Sequence, residues 1–196
     1  MRASTRRELV AGPAGRIECA VDAPEGKARG TALIAHPHPQ FGGTLDNKVV
    51  QTLARAFVEL GYESWRPNFR GIGESEGAYD GGRGEVEDLL SVYQTLPQPV
   101  VLAGFSFGAA MQAMLAKRVG AQRLVLVGVA VTNFEVPPVP AGTLVIHGER
   151  DETIPLAAVL DWARPQDLPV VLIPGADHFF HRKLQPIRNL VHDALR

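Results

Sequence analysis

Residues 100–110, VVLAGFSFGAA, join an apolar run to a serine that has a glycine two positions before it and two positions after it. A serine on a sharp turn between a strand and a helix needs neighbours that are almost free of side chains, because the helix folds back against the strand. Gly104 and Gly108 provide that space around Ser106. The segment therefore predicts a nucleophile elbow, in which the backbone N–H of Phe107 points at the oxygen of the group that the serine attacks.

The residues around this motif support the elbow. Gly-x-Ser-x-Gly also occurs by chance in glycine-rich loops, and the chain has 20 glycines. Here four apolar residues precede the motif, and residues 107–118 have a helical pattern that ends at Gly120. Because strand, turn and helix follow one another in the required order, we expect acyl transfer at Ser106.

Size and composition favour a single globular domain over residues 1–196. The chain is 45% hydrophobic and 21% charged, with a net charge of -1 and no basic face that would neutralise a nucleic-acid backbone. The first residues, MRASTRRELV, contain no apolar segment typical of a signal peptide, and no run of about 18 apolar residues predicts a membrane span. A lone cysteine, Cys19, cannot form an internal disulfide, which fits a reducing cytoplasm.

Strands and helices alternate along most of the sequence. We predict strands at residues 9–10, 16–21, 31–35, 62–66, 100–103, 124–129, 143–147 and 170–173. We predict helices at residues 47–60, with Asp46 as the N-cap, and at 84–96, 107–119, 155–163 and 180–195. Such alternation predicts an α/β fold with a mostly parallel central sheet and helices on both faces.

The last two predicted strands are each followed by candidate partners for the serine, which needs a base and a carboxylate to orient that base. Residues 148–155, GERDETIP, contain Asp151, and residues 174–178, PGADH, end with His178. The carboxyl ends of parallel strands lie at one edge of the sheet, so Ser106, Asp151 and His178 can converge there.

These assignments have alternatives among neighbouring residues. Glu149, Glu152 and Asp177 are further candidates for the acid. His181 is a second candidate for the base, but it falls within the predicted terminal helix, whereas His178 is still in the loop. His147 ends a strand and is typical of a hydrogen-bonded structural histidine.

Four segments, in this order, resemble one family: HPHPQFGGTLDNKVV, NFRGIGESEGAYDGGRGE, GFSFG and GADHFFHRKL. From about residue 30 to the C-terminus the chain resembles the α/β-hydrolases, and more narrowly the small bacterial members without a lid that are related to dienelactone hydrolases and carboxylesterases. The resemblance implies the α/β-hydrolase fold, with Ser106 as nucleophile, Asp151 as acid and His178 as base. It also implies no cap domain, which fits the short connection before residue 143.

A second oxyanion-hole donor, besides Phe107, is expected in the loop after the strand at residues 31–35. In the sequence His36-Pro37-His38-Pro39-Gln40 both prolines lack an N–H. The donor is therefore predicted to be the backbone N–H of His38, with Gln40 as the alternative.

Two other motifs suggest cofactors but are incomplete. His36 and His38 could share one face of an extended segment and bind a metal, yet no further ligands in a matching motif are evident. Residues 71–77, GIGESEG, resemble a dinucleotide fingerprint, but the third glycine comes one position late. We therefore expect neither metal nor cofactor.

The expected function is hydrolysis of small carboxylic esters or thioesters through a Ser-His-Asp acyl-enzyme mechanism. The partner is then a small-molecule ester rather than nucleic acid or membrane. Two other functions fit the same fold: a binding protein without catalysis, and a peptide or C–C bond hydrolase with the same triad.

Overall fold

The computed structural model describes residues 5–196. The first four residues, which begin the basic N-terminal segment, lie outside this range. The strands in this part are β1 (Arg6–Gly12), β2 (Gly15–Asp22), β3 (Gly30–Ala35), β4 (Tyr62–Pro67), β5 (Val100–Phe105), β6 (Leu124–Val127), β7 (Leu144–Gly148) and β8 (Val170–Ile173). The α-helices are α1 (Lys48–Glu59), α2 (Arg83–Thr95), α3 (Phe107–Val119), α4 (Leu156–Ala163) and α5 (Leu184–Leu195). Short 3-10 helices cover Pro39–Phe41 and Arg164–Gln166.

The strands form one sheet in the order β1-β2-β4-β3-β5-β6-β7-β8. β2 pairs antiparallel with both β1 and β4, and the strands from β3 to β8 are parallel to one another. The loops that follow β3, β5, β7 and β8 therefore meet at the same edge of the sheet. This topology confirms the predicted mostly parallel sheet.

Helices cover both faces of the sheet because its central strands are apolar on both sides. In β3, Leu33 and Ala35 belong to one core, and Ala32 and Ile34 belong to the other. Apolar residues of α2, α3 and α4 complete the first core, and those of α1 and α5 complete the second. Among residues 5–196, no helix is both long and apolar enough to span a membrane.

The connection between β6 and β7 is short, as the sequence predicted. β6 ends at Val127 rather than at residue 129, because Gly128 has a φ of 53° and leaves the strand conformation. In the described chain, residues 128–143 contain neither helix nor strand. No cap domain is therefore inserted at this point of the carboxyl edge.

The last helix begins later than the sequence pattern indicates. α5 begins at Leu184 instead of residue 180, because Phe180 and Arg182 have φ values of 52° and 59°, which a right-handed helix cannot accommodate. The Phe180 side chain is fully buried, and its ring centroid lies 6.3 Å from that of Phe105. The placement of His181 within the terminal helix was thus wrong, since this residue lies in the loop before α5.

The predicted N-cap of the first helix was also wrong by one residue. Asn47 caps α1, because its side-chain oxygen accepts hydrogen bonds from the N–H groups of Val49 and Val50. The neighbouring Asp46 instead accepts a hydrogen bond from Gln51 Nε2 at 3.1 Å.

Candidate active site

Ser106 is the single residue between β5 and α3, and it has the strained backbone angles φ 55° and ψ -115°. A Cβ atom on Gly104 would lie 2.5 Å from the Gly108 carbonyl group, and one on Gly108 would overlap the carbonyl oxygens of Ala35 and His36. The turn is therefore possible only with glycine at these positions. The Ser106 N–H donates to the Val127 carbonyl at 2.9 Å, which ties the turn to the end of β6.

A hydrogen-bonded chain links Ser106 to the loops after β7 and β8. His178 Nε2 lies 3.0 Å from Ser106 Oγ, and His178 Nδ1 lies 2.7 Å from Asp151 Oδ2. Asp151 Oδ1 accepts hydrogen bonds from the N–H groups of Thr153 and Ile154, at 2.9 and 2.7 Å. Ser106, His178 and Asp151 are all buried, and Ser106 retains 8% exposure. The carboxylate therefore fixes the imidazole with its proton on Nδ1 and its free electron pair towards the serine.

The alternative acids and the alternative base do not reach Ser106. Asp177 Oδ2 lies 2.6 Å from His181 Nδ1, and the His181 side chain is exposed while that of Asp177 is about half exposed. The hydrogen bond from His181 lowers the pKa of the Asp177 carboxyl group. Glu149 accepts a hydrogen bond from the N–H of Gly175, and Glu152 is exposed. Asp177 and His181 thus form a separate surface pair.

His147 lies beneath the triad rather than in it. Its ring is buried, Nε2–H donates to the Ile154 carbonyl at 3.0 Å, and the same nitrogen lies 3.7 Å from Asp151 Oδ2. Burial lowers the pKa of His147, so the ring is neutral at pH 7. A neutral imidazole leaves the Asp151 charge available to His178.

The loop after β3 brings His38 next to the elbow. The carbonyl oxygen of His38 accepts hydrogen bonds from the N–H groups of Phe41 and Gly43, both at 3.1 Å, and a Cβ on Gly43 would overlap the Pro37 carbonyl. The His38 and Phe107 rings lie 5.0 Å apart between centroids. Phe107 is the first residue of α3, so its N–H has no acceptor within the helix. Gln40 lies in the 3-10 helix and its N–H is bonded to His38 Nδ1.

His36 and His38, which the sequence does not support as a metal pair, have other hydrogen-bond partners. His36 Nε2 accepts a hydrogen bond from the Phe69 N–H at 2.9 Å, and His36 Nδ1–H donates to the Pro37 carbonyl at 2.6 Å. Burial lowers the pKa of His36 to about 4. Across residues 5–196, no group of three or more His, Cys, Asp or Glu side chains is arranged to hold a metal.

Tyr79 is a site residue that the sequence did not identify. Its hydroxyl lies 3.1 Å from His38 Nε2, and its ring belongs to an aromatic cluster with Phe107, whose ring is 5.1 Å from that of Phe134. The signal available was an aromatic residue two positions after the glycine-rich segment 71–77. Its contact with His38 spans 41 positions and has no local pattern.

The chain is similar to solved structures of bacterial serine hydrolases. An α/β serine hydrolase homologue from Coxiella burnetii shares 38% identity, with 97% of each chain covered and a TM-score of 0.91. An α/β serine hydrolase without lid from Xanthomonas campestris shares 36% identity over 100% of this chain and 95% of that one, with a TM-score of 0.92. An uncharacterized protein of Rickettsia prowazekii is 31% identical over 94% of this chain and 86% of its own length. No protein-family model matches the chain.

Proposed function

This chain belongs to the α/β-hydrolase superfamily, among the serine hydrolases without a lid, and on that premise we propose that it cleaves carboxylic esters or thioesters through an acyl-enzyme on Ser106. The observation that carries the proposal is the continuous hydrogen-bonded chain from Asp151 through His178 to Ser106, with distances of 2.7 and 3.0 Å. A hydroxyl is a weak nucleophile at neutral pH, and this arrangement supplies the base and the orienting carboxylate that it needs.

In the acylation half of the reaction, His178 Nε2 takes the hydroxyl proton while Ser106 Oγ attacks the carbonyl carbon of the ester. The carbonyl oxygen becomes an oxyanion, which the backbone N–H groups of Phe107 and His38 stabilise. His178 then gives its proton to the leaving oxygen or sulfur, the bond to that atom breaks, and the acyl group stays on Ser106.

Water completes the cycle. His178 takes one proton from the water molecule, and the resulting hydroxide attacks the acyl carbon. Collapse of the second oxyanion breaks the bond to Ser106 Oγ, which recovers its proton from His178. The carboxylic acid leaves, and Asp151 stabilises the imidazolium in both halves of the reaction.

The aromatic cluster beside Ser106 supports an apolar acyl group. The rings of Tyr79, Phe107 and Phe134 are grouped with centroids 5.1 to 6.1 Å apart. Phe107 is itself buried, so an acyl chain on Ser106 would contact the partly buried rings of Tyr79 and Phe134 that pack against it. Burial of its CH₂ groups there stabilises the acyl-enzyme.

The test is labelling with a fluorophosphonate, which reacts only with an activated serine and requires no knowledge of the natural substrate. We expect the wild-type chain to be labelled and to hydrolyse 4-nitrophenyl acetate, and Ser106→Ala to lose the label and about a million-fold in kcat. Ser91→Ala, which replaces a partly buried serine on α2, is the matched control and should keep both properties. Wild-type protein that takes no label, with the same circular dichroism as the variants, would favour a binding protein without catalysis.

A further inference from the structure

A groove beside the proposed catalytic residues has no role in the mechanism above. Its volume is about 640 Å³, which is in the range of small-molecule sites. One wall consists of Gly42, Thr44 and residues 46–49, which lead from the loop after β3 into α1. Residues 179–182 and Leu184 form the other wall. We call this feature the lateral groove.

The lateral groove lies on the side from which the alcohol must leave. His178 gives its proton to the leaving oxygen, so the alcohol part of the ester is on the His178 side of Ser106 when the bond breaks. Phe179 follows His178 directly, and the two ring centroids are 5.2 Å apart. The wall opposite Phe179 begins four residues after His38, the proposed oxyanion donor.

The lining of the groove presents an exposed aromatic ring above buried apolar side chains. Val49 and Phe180 are buried beneath it, and Leu184 is partly buried. Phe179 is 54% exposed, which is unusual for a phenylalanine and leaves a ring available for stacking. An aromatic group bound in the groove would cover it.

The charges along the groove favour an anion. Lys48 and Arg182 both line it, and neither has a carboxylate within 4.0 Å among residues 5–196. The acidic residue of the lining, Asp46, lies 4.0 Å from Arg7 and from Arg66, and these two arginines pair more closely with Glu18 and Asp22, at 2.8 and 2.7 Å. His181 is paired with Asp177. The lining therefore carries two positive charges against one negative charge, which leaves a net positive charge beside the exposed Phe179 ring.

From this combination we propose that the lateral groove binds the alcohol part of the substrate and selects an aromatic alcohol that bears a carboxylate. The ring stacks on Phe179, and the carboxylate pairs with Lys48 and Arg182. This inference rests on the proposed ester hydrolysis at Ser106.

The test compares two acetyl esters that differ in one charge, 4-acetoxybenzoate and the neutral 4-acetoxybenzamide. For each protein we take the kcat/KM of the anionic ester divided by that of the neutral ester. This ratio for the double variant Lys48→Gln with Arg182→Gln is then compared with the ratio for the wild type. The intrinsic reactivity of the two esters cancels in this comparison. We expect the double variant to lose between about threefold and tenfold of the preference for the anion, since each charge is exposed. The wild-type preference should also fall with added KCl.

The matched control is Lys117→Gln with Arg123→Gln, which removes the same net charge at the opposite edge of the sheet. It should leave the ratio unchanged, and the neutral ester should be hydrolysed at similar rates by all three proteins. An unchanged ratio in Lys48→Gln with Arg182→Gln, or an equal fall in the control, would refute the groove assignment while leaving ester hydrolysis intact.

A binding measurement separates failure of the groove from failure of the proposed function. Calorimetric titration with the product, 4-hydroxybenzoate, requires no turnover. If no ester is hydrolysed, the function proposed for Ser106 is wrong, yet weaker binding by the groove variant than by the control still supports the site. Equal binding by the two variants overturns it.

Discussion

Replacement of Asp151 by asparagine tests the triad most sharply, because the surrounding hydrogen bonds dictate how the new amide must lie. Asp151 Oδ1 accepts from the N–H groups of Thr153 and Ile154, and only the amide oxygen of asparagine can take over that role. The NH₂ group is then directed at His178 Nδ1, which lies 2.7 Å from the present Oδ2 atom. Two donors cannot share that contact, so the imidazole proton must move from Nδ1 to Nε2.

The consequence is a base with the wrong tautomer. A protonated Nε2 cannot accept the proton of Ser106 Oγ, which is 3.0 Å away. From the known cost of this tautomer in serine hydrolases, we expect kcat to fall about ten-thousand-fold, equivalent to about 5 kcal/mol of transition-state stabilisation. KM should change little, because Asp151 does not contact the ester.

Initial rates with 4-nitrophenyl acetate measure this effect, and Asp177→Asn is the matched control. Asp177 has a half-exposed side chain that pairs with the exposed His181, so its replacement should change kcat by less than about twofold. The reasoning is refuted if Asp177→Asn proves the more damaging variant, or if Asp151→Asn loses less than about tenfold.

Three further outcomes follow from buried groups near the site. We expect the unfolding free energy to fall by about 3 kcal/mol as the pH is lowered from about 6.5 to 4. The cause is His36, whose pKa is about 4 in the folded state, because in this window only the unfolded state binds the additional proton. The unfolding free energy, measured by urea titration at several pH values, should therefore depend more steeply on pH for the wild type than for His36→Asn. Gly108→Ala should lower the unfolding free energy by about 3 kcal/mol or more, because the new Cβ would overlap two carbonyl oxygens. The control Gly142→Ala adds its Cβ in open space and should change the unfolding free energy by less than about 0.5 kcal/mol. Exhaustive chelation should leave esterase activity unchanged, since both ring nitrogens of His36 already have hydrogen-bond partners, and loss of turnover that zinc restores would revive the metal hypothesis.

The strands, the elbow and the absence of a cap could be predicted because each depends on a local pattern. The apolar run of β5 and the glycines around Ser106 are adjacent in sequence. Every parallel sheet brings the carboxyl ends of its strands to one edge. The start of α5 could not be predicted in this way. It is decided by the burial of Phe180 against Phe105, a contact that spans 75 positions of the chain.

Neighbouring residues with similar chemistry also limited the prediction. Asp46 and Asn47 are both good N-caps, and the difference between them arises only from the fold, in which Asp46 faces Gln51 and Arg66 while Asn47 reaches the first turn of α1. The hydrogen bond between Tyr79 and His38 likewise joins two loops whose proximity no periodicity indicates.

The spacing of the triad depends on backbone contacts between the two loops that carry Asp151 and His178. The N–H of Arg150 donates to the Ala176 carbonyl at 2.9 Å, and the N–H of Glu149 donates to the Ile173 carbonyl at 3.2 Å. A Cβ on Gly148 would lie 2.6 Å from the Ala176 carbonyl oxygen, so the loops can approach this closely only with glycine there. These backbone contacts hold the two loops together independently of the Asp151 and His178 side chains. The 2.7 Å contact between Asp151 and His178 is therefore preorganised by the backbone, and substrate binding does not have to create it.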